Sequence, residues 1–149
     1  MSTTNLDTIQ FAFGRKGLSL RLPDAANAVV LRTQPCPGLP DPEGALRKAV
    51  SQPIDARPLA EIAAGRKSAC VVICDITRPV PNDVLLPPIL RTLEDAGIPR
   101  DAITILIATG IHRPNEGAEL VELVGEEIAA NYRCVNHLSK DDSELLDVG

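Results

Sequence analysis

The chain has 149 residues, 44% of them hydrophobic, and a formal net charge of -5. A chain of this size buries roughly 70% of the surface it would expose unfolded, which suits one soluble domain with a real core. Its acidity and its three aromatics, Phe11, Phe13 and Tyr132, exclude the basic patch and the stacking platform that nucleic acid needs, so no nucleic-acid partner is expected. No run approaches the roughly 20 apolar residues of a membrane helix, so no membrane partner is expected. Met1 to Gly14, MSTTNLDTIQFAFG, lacks the basic start and apolar stretch of a secretory signal, so a cytoplasmic location is expected.

The first elements in chain order are extended. Phe11-Ala12-Phe13 and Leu18 to Leu22 alternate around Gly14-Arg15-Lys16-Gly17 and predict a β-hairpin. Val29-Val30-Leu31 predicts a short third strand, and Thr33 to Pro42, with four prolines and a glycine, predicts a loop. Helices are predicted over Glu43 to Ser51 and Leu59 to Ala64, with Pro58 in the first turn of the second.

Ser68 to Cys74 carries no charged residue, as expected of a parallel strand covered on both faces. Asn82 is placed to cap a helix whose apolar positions Val84, Leu85, Ile89, Leu93 and Ala96 keep helical spacing. Pro87-Pro88 predicts a kink or a late start, and Gly97 the end. Ile103 to Ala108 is the next buried strand. A helix from Asn115 to about Val124, another over Glu126 to Ala130 and a short strand over Arg133 to Asn136 complete the pattern.

Together these elements predict an α/β fold of three layers. A mainly parallel sheet carries helices on both faces and is preceded by an N-terminal β-hairpin. Residues 1–149 form one domain, with the hairpin and an edge strand in 1–35 and a core of strand-loop-helix units in 68–137. The apolar end Leu145-Leu146-Asp147-Val148-Gly149 reads as an interruption, so a fragment of a longer protein is expected. The four cysteines, Cys36, Cys70, Cys74 and Cys134, include no Cys-x-x-Cys pair and are expected to be reduced core thiols. Cys70 and Cys74, four apart on one strand, should share a face without bridging.

Two loops carry the chemistry. Asp75-Ile76-Thr77-Arg78-Pro79-Val80-Pro81-Asn82 leaves the first buried strand, and Ala108-Thr109-Gly110-Ile111-His112-Arg113-Pro114-Asn115 leaves the second. In open α/β sheets ligands bind at that edge. Arg78-Pro79 and Arg113-Pro114 lie 35 residues apart, the length of one strand-loop-helix unit, and consecutive parallel strands usually neighbour each other. Arg78 offers a planar fork of donors for a carboxylate or phosphate. Asp75 either orients that fork, holds a ligand hydroxyl, or closes a plain loop salt bridge with Arg78. His112, one of two histidines, is either a general acid/base near neutral pH or a cap on a loop carbonyl. His137 has no charged neighbour at useful spacing. Two histidines without paired carboxylates or cysteines do not make a metal site. Gly-rich phosphate loops are absent, although helix starts near Asn82 and Asn115 would suit a phosphate.

At Asp75 to Asn82, Thr109 to Pro114 and Asn136-His137 the sequence resembles the N-terminal portion of the nickel-dependent lactate racemase family. The resemblance covers nearly the whole chain. It implies an isomerase, a racemase or epimerase of 2-hydroxy acids, built from two α/β domains closing over a nickel-pincer nucleotide tethered to a lysine. In such an enzyme the substrate's C2 hydride passes to the cofactor while a histidine takes the hydroxyl proton. Carried over, Arg78 would hold the substrate carboxylate and His112 would be one of two acid/base histidines. Asp75 would share their pocket, and Thr77 would lie near the cofactor phosphate. The second histidine, the tethering lysine and the metal-ligating histidine would follow Gly149, on a missing C-terminal domain of the same enzyme. Lys140 does not match the tethering lysine. The 149-residue chain alone is therefore expected to bind no cofactor and to be inactive. Two alternatives remain: a non-catalytic α/β module that binds an anion or nucleotide at the same loops, and a truncated product with no activity of its own.

Overall fold

The computed structural model describes residues 8–23, 29, 31 and 33–146. The strand predicted over Val29-Val30-Leu31 and the end of the apolar tail at Asp147-Val148-Gly149 lie outside or partly outside these residues. The chain divides into two compact units, 1–38 and 39–149.

The first unit holds an antiparallel hairpin of β1 (Thr8–Phe11) and β2 (Leu18–Arg21), with Phe11 opposite Leu18. The turn is longer than the sequence predicts, because the chain leaves the ladder before Ala12-Phe13. Gly17, at φ 72, donates its N–H to the Phe13 carbonyl, a backbone conformation that glycine adopts at no steric cost.

The second unit is built around three parallel strands in the order β3-β4-β5: β3 (Ala69–Cys74), β4 (Ile103–Ala108) and β5 (Arg133–Asn136). Helices flank them: α1 (Pro42–Ser51), α2 (Leu59–Ala63), α3 (Asn82–Asp95), α4 (Ala118–Val124) and α5 (Glu126–Asn131). β3 and β4 run in step, with Ala69 beside Ile103 and Cys74 beside Ala108. Their loops therefore leave the sheet at the same level.

The core follows from the period-2 alternation of the strands. Ile73, Ile103, Ile105 and Ile107 are buried against Leu86, Leu90 and Leu93 of α3, Leu123 and Val124 of α4, and Ile128 of α5. Each such side chain contributes about 1.5–3 kcal/mol on burial. The opposite parity is more open: Val72 is 61% exposed, and Cys70 is exposed too. Cys36 is also exposed, so two of the four thiols are not core groups as the sequence suggests; Cys74 and Cys134 are half-buried and all four are free. Burial pushes the Cys134 thiol pKa up.

Helix ends depart from the sequence reading in two places. Asn82 is the first helical residue of α3 rather than its cap; Pro81 takes the cap position and makes no side-chain bond. Pro87 and Pro88 sit inside a helix that nevertheless begins at Asn82. They lack the N–H groups that would reach the carbonyls of Asp83 and Val84. α1 is capped as expected of Asp-Pro: the Asp41 carboxylate accepts the Gly44 N–H at 2.9 Å.

At the far end of the sheet from the two loops, Tyr132 donates its hydroxyl to Glu94 at 3.0 Å. Arg100 pairs with the same carboxylate and lies 5.1 Å from the Tyr132 ring centroid. Arg100 holds the Glu94 carboxyl below its ordinary pKa against the effect of burial, while burial and Glu94 push the Tyr132 phenol up.

Candidate functional site

The two loops open with the same turn. After β3, the Arg78 N–H reaches back to the Asp75 carbonyl at 3.1 Å; after β4, the His112 N–H reaches the Thr109 carbonyl at 3.0 Å. Asp75 and Thr109 are therefore structural equivalents, and so are Arg78 and His112. The spacing of that equivalence is 34 residues, one less than the Arg-Pro echo in the sequence. Arg113 is thus not the counterpart of Arg78. It pairs instead with Glu119 on α4 through both terminal nitrogens. Gly110 occupies the first bend of the second turn at φ 58.

The first residue of each turn is a polar group driven inward. Asp75 is 3% exposed and Thr109 2%. Buried polar groups must be hydrogen-bonded, and both are. Thr109 donates its hydroxyl to the His137 carbonyl. Asp75 Oδ2 lies 2.6 Å from His112 Nδ1, and Asp75 Oδ1 accepts the Thr77 hydroxyl at 2.8 Å. Burial raises the Asp75 pKa, but the bonds from His112 and Thr77 and the nearby imidazole charge outweigh it. The carboxyl ends below its ordinary value.

An ionised carboxylate can only accept. Where the imidazole is neutral, Asp75 therefore selects the tautomer with hydrogen on Nδ1 and leaves the lone pair on Nε2. The His112 side chain is 42% exposed, so that lone pair is open to a ligand. Asp75, predicted to pair with Arg78 or with a ligand, instead spends its oxygens on His112 and Thr77. Arg78 is exposed and has no side-chain partner among the described residues. Its guanidinium is free to take an anion. Thr77, expected near a cofactor phosphate, has its hydroxyl hydrogen on Asp75. The His137 side chain makes no bond among the described residues, while its N–H extends the β4 pairing to the Ile107 carbonyl at 2.9 Å.

Two residues missed as site components tie the loops together. The Ile76 N–H donates to Asn115 Oδ1 at 3.2 Å. Asn115 is 2% exposed, and its own backbone is held on both sides by Asn136: Asn115 N–H donates to Asn136 Oδ1 at 2.8 Å, and Asn136 Nδ2 donates to the Asn115 carbonyl at 3.1 Å. The sequence reading put Asn115 at a helix start. α4 begins three residues later, after Gly117 turns the chain at φ 54. The only available signal was the position of Asn115 and Asn136 at two strand-end loops.

Among the described residues no group of three His, Cys, Asp or Glu is placed to hold a metal ion. The donor set here therefore offers no three-ligand cage of its own for a metal ion. What it fits is a small anion with an acidic hydrogen nearby: a cation to bind it and an oriented base to move a proton. No described helix is long and apolar enough to cross a membrane.

The family model for the lactate racemase N-terminal domain matches residues 13–149. The lactate racemase of Lactiplantibacillus plantarum is 39% identical over 104 residues, which is 70% of this chain and 24% of that protein. The lactate racemase of Thermoanaerobacterium thermosaccharolyticum is 29% identical over 143 residues, 95% of this chain and 33% of that protein. The solved apoprotein of the latter superposes with a TM-score of 0.72 over 95% of this chain. The chain thus spans between a quarter and a third of the length of these relatives.

Proposed function

The chain belongs to the lactate racemase N-terminal domain family, and we propose that it supplies the carboxylate-binding and proton-handling half of a 2-hydroxy-acid racemase or epimerase site. The observation that carries this reading is the 2.6 Å contact of buried Asp75 with half-exposed His112, one turn from the unpartnered guanidinium of Arg78. In this reading Arg78 binds the substrate carboxylate through two parallel N–H bonds. His112 Nε2 takes the hydroxyl proton as the C2–H bond breaks and returns it when that bond re-forms. Asp75 holds the imidazole in the tautomer this needs and stabilises the imidazolium that forms, the same division of labour as in other carboxylate-histidine pairs. Thr77 completes the carboxylate's hydrogen bonding and keeps its rotamer.

The rest of the site is proposed to come from polypeptide corresponding to the part of the longer relatives that these 149 residues do not match. That includes a second base on the opposite face of the substrate and the group that accepts the hydride. The resemblance to the family names that group as a nickel-pincer nucleotide. The described residues of this chain offer no three-ligand cage for its metal, and the residues that would hold it are placed on the remaining polypeptide. By this reading the protein works as one domain of a longer enzyme and is inactive alone.

The test uses a full-length racemase carrying this domain. His112→Ala is expected to lower turnover at least 100-fold, the usual loss for a positioned acid/base. Arg78→Ala is expected to act mainly on KM. Turnover of every 2-hydroxy acid within about twofold of the parent for both variants would overturn the assignment. Calorimetry on the 149-residue chain with lactate, malate and nucleotides separates off a pure binding module, which would bind an anion tightly through Arg78 without any role for His112.

A further inference from the structure

Besides the Asp75–His112 contact, the first loop is joined to the second by one further hydrogen bond, from the Ile76 N–H to Asn115 Oδ1. The Ile76 N–H adjoins Asp75 in the chain, and Asn115 stands three residues beyond His112. The two links, Asp75 to His112 and Ile76 to Asn115, close a small ring across the gap between the loops. One corner of that ring is itself anchored from outside. Asn136, the last residue of β5, grips both the N–H and the carbonyl of Asn115 with its side-chain amide. The line of support runs from the third strand, through the second loop, into the backbone of the first.

Resting on the proposed function, we propose that Asn115 and Asn136 are positioning residues, a clasp that sets the separation and alignment of Asp75 and His112. Side-chain chemistry makes the choice narrow. The Asn136 amide presents a donor and an acceptor in one plane on a short side chain, and glutamine would reach one methylene too far from the end of β5. An aspartate at 136 would keep the bond from the Asn115 N–H but would face the Asn115 carbonyl with a second acceptor. A positioned pair loses function with small displacements, since a misplacement of about 1 Å costs on the order of 100-fold in rate. This makes a buried, fully paired bracket at this point more than a packing detail.

The experiment reads the pair itself and needs no turnover. In the 149-residue chain, carboxyl 13C NMR follows the titration of Asp75, and amide exchange follows the Ile76 N–H. Asn115→Ala and Asn136→Ala are expected to raise the Asp75 midpoint by about one pH unit, because an aligned cationic partner lowers a carboxylate by one to three units. The Ile76 amide is expected to exchange at least about tenfold faster in both variants, as its protection falls with local opening. Ile128→Val, which loosens the core away from the loops, is expected to leave both readings unchanged. If Asn136→Ala does not fold, the uncharged Asn136→Gln is read in its place and is expected to shift the Asp75 midpoint in the same direction. The proposal fails if the Asp75 midpoint stays put while the Ile76 amide is freed, or if Ile128→Val moves it as far as the clasp variants do. A racemase reading overturned by His112→Ala turnover would leave this titration result as it stands, so the two failures are distinguishable.

Discussion

The loop after β3 and the loop after β4 share one turn geometry and differ in what supports them. β4 is the central strand, with β3 on one side and β5 on the other. Its loop is accordingly tied down three times by the end of β5 and the segment beyond: Thr109 to the His137 carbonyl, Ser139 to the Gly110 carbonyl, and Asn136 to Asn115. Among the described residues of the second unit β3 is an edge strand, and its loop is braced there from one side only. It is held by its own prolines, by short backbone bonds such as Val80 N–H to the Arg78 carbonyl at 2.8 Å, and by the other loop. The lesson is a division of duties. On the proposed reading, the braced loop carries the base, which must be aligned, and the outer loop carries the guanidinium, which must be free to meet an incoming anion.

That contrast can be broken by experiment, most sharply at the acid/base pair. In a full-length racemase, Asp75→Asn should lower turnover about 100-fold or more, close to the effect of His112→Ala, since both remove the oriented base; a loss below about threefold would show that the buried carboxylate merely satisfies the fold. Next in size is the bracing of the inner loop. Thr109→Val leaves the His137 carbonyl without its donor and should cost about 1–3 kcal/mol in urea unfolding of the 149-residue chain. Arg78→Ala, in the outer loop, should shift the same urea midpoint by less than about 0.5 kcal/mol, as for other surface changes. Equal losses for Thr109→Val and Arg78→Ala would erase the distinction between the loops. The smallest effect is in acid. The Asp75 carboxyl titrates lower in the folded chain than the roughly 3.9 of a free aspartate. Its contribution is therefore fully present above about pH 4 and is lost as pH falls through the depressed folded value. Urea midpoints between pH 5 and 2.5 should fall less steeply in Asp75→Asn than in the parent, and parallel curves would refute the assignment.

Much of this was legible in the sequence. β4 and β5 match the sequence reading to the residue; for β4 the reason is a charge-free run bounded by turn residues, which leaves a parallel strand few alternatives. The hairpin slipped by two residues, since alternation at Ala12-Phe13 looks extended until Gly17 folds back on Phe13. In the site, Asp75, Arg78 and His112 stood out by residue type and by position after a strand. Their partnership did not. Sequence proximity favoured Asp75 with Arg78, whereas the in-step pairing of β3 and β4 brings His112, 37 residues away, to 2.6 Å. The Arg-Pro repeat misled by one residue for the same reason: strand register, not dipeptide likeness, decides which side chains are equivalent. Asn115 and Asn136 appear in the sequence reading only as a helix start and as part of a matching motif; their bracing role lies in long-range bonds to backbone groups, which leave no periodicity to read.

Tyr132 is the only tyrosine in a chain without tryptophan, and it sits between α5 and β5 with its hydroxyl on α3. That makes it a native optical label for the assembled sheet, placed at the end opposite the two loops. Its emission should report whether the helices are seated while staying blind to ligands at Arg78 and His112. That emission therefore follows the architecture of these residues apart from events at the loops, with no added dye.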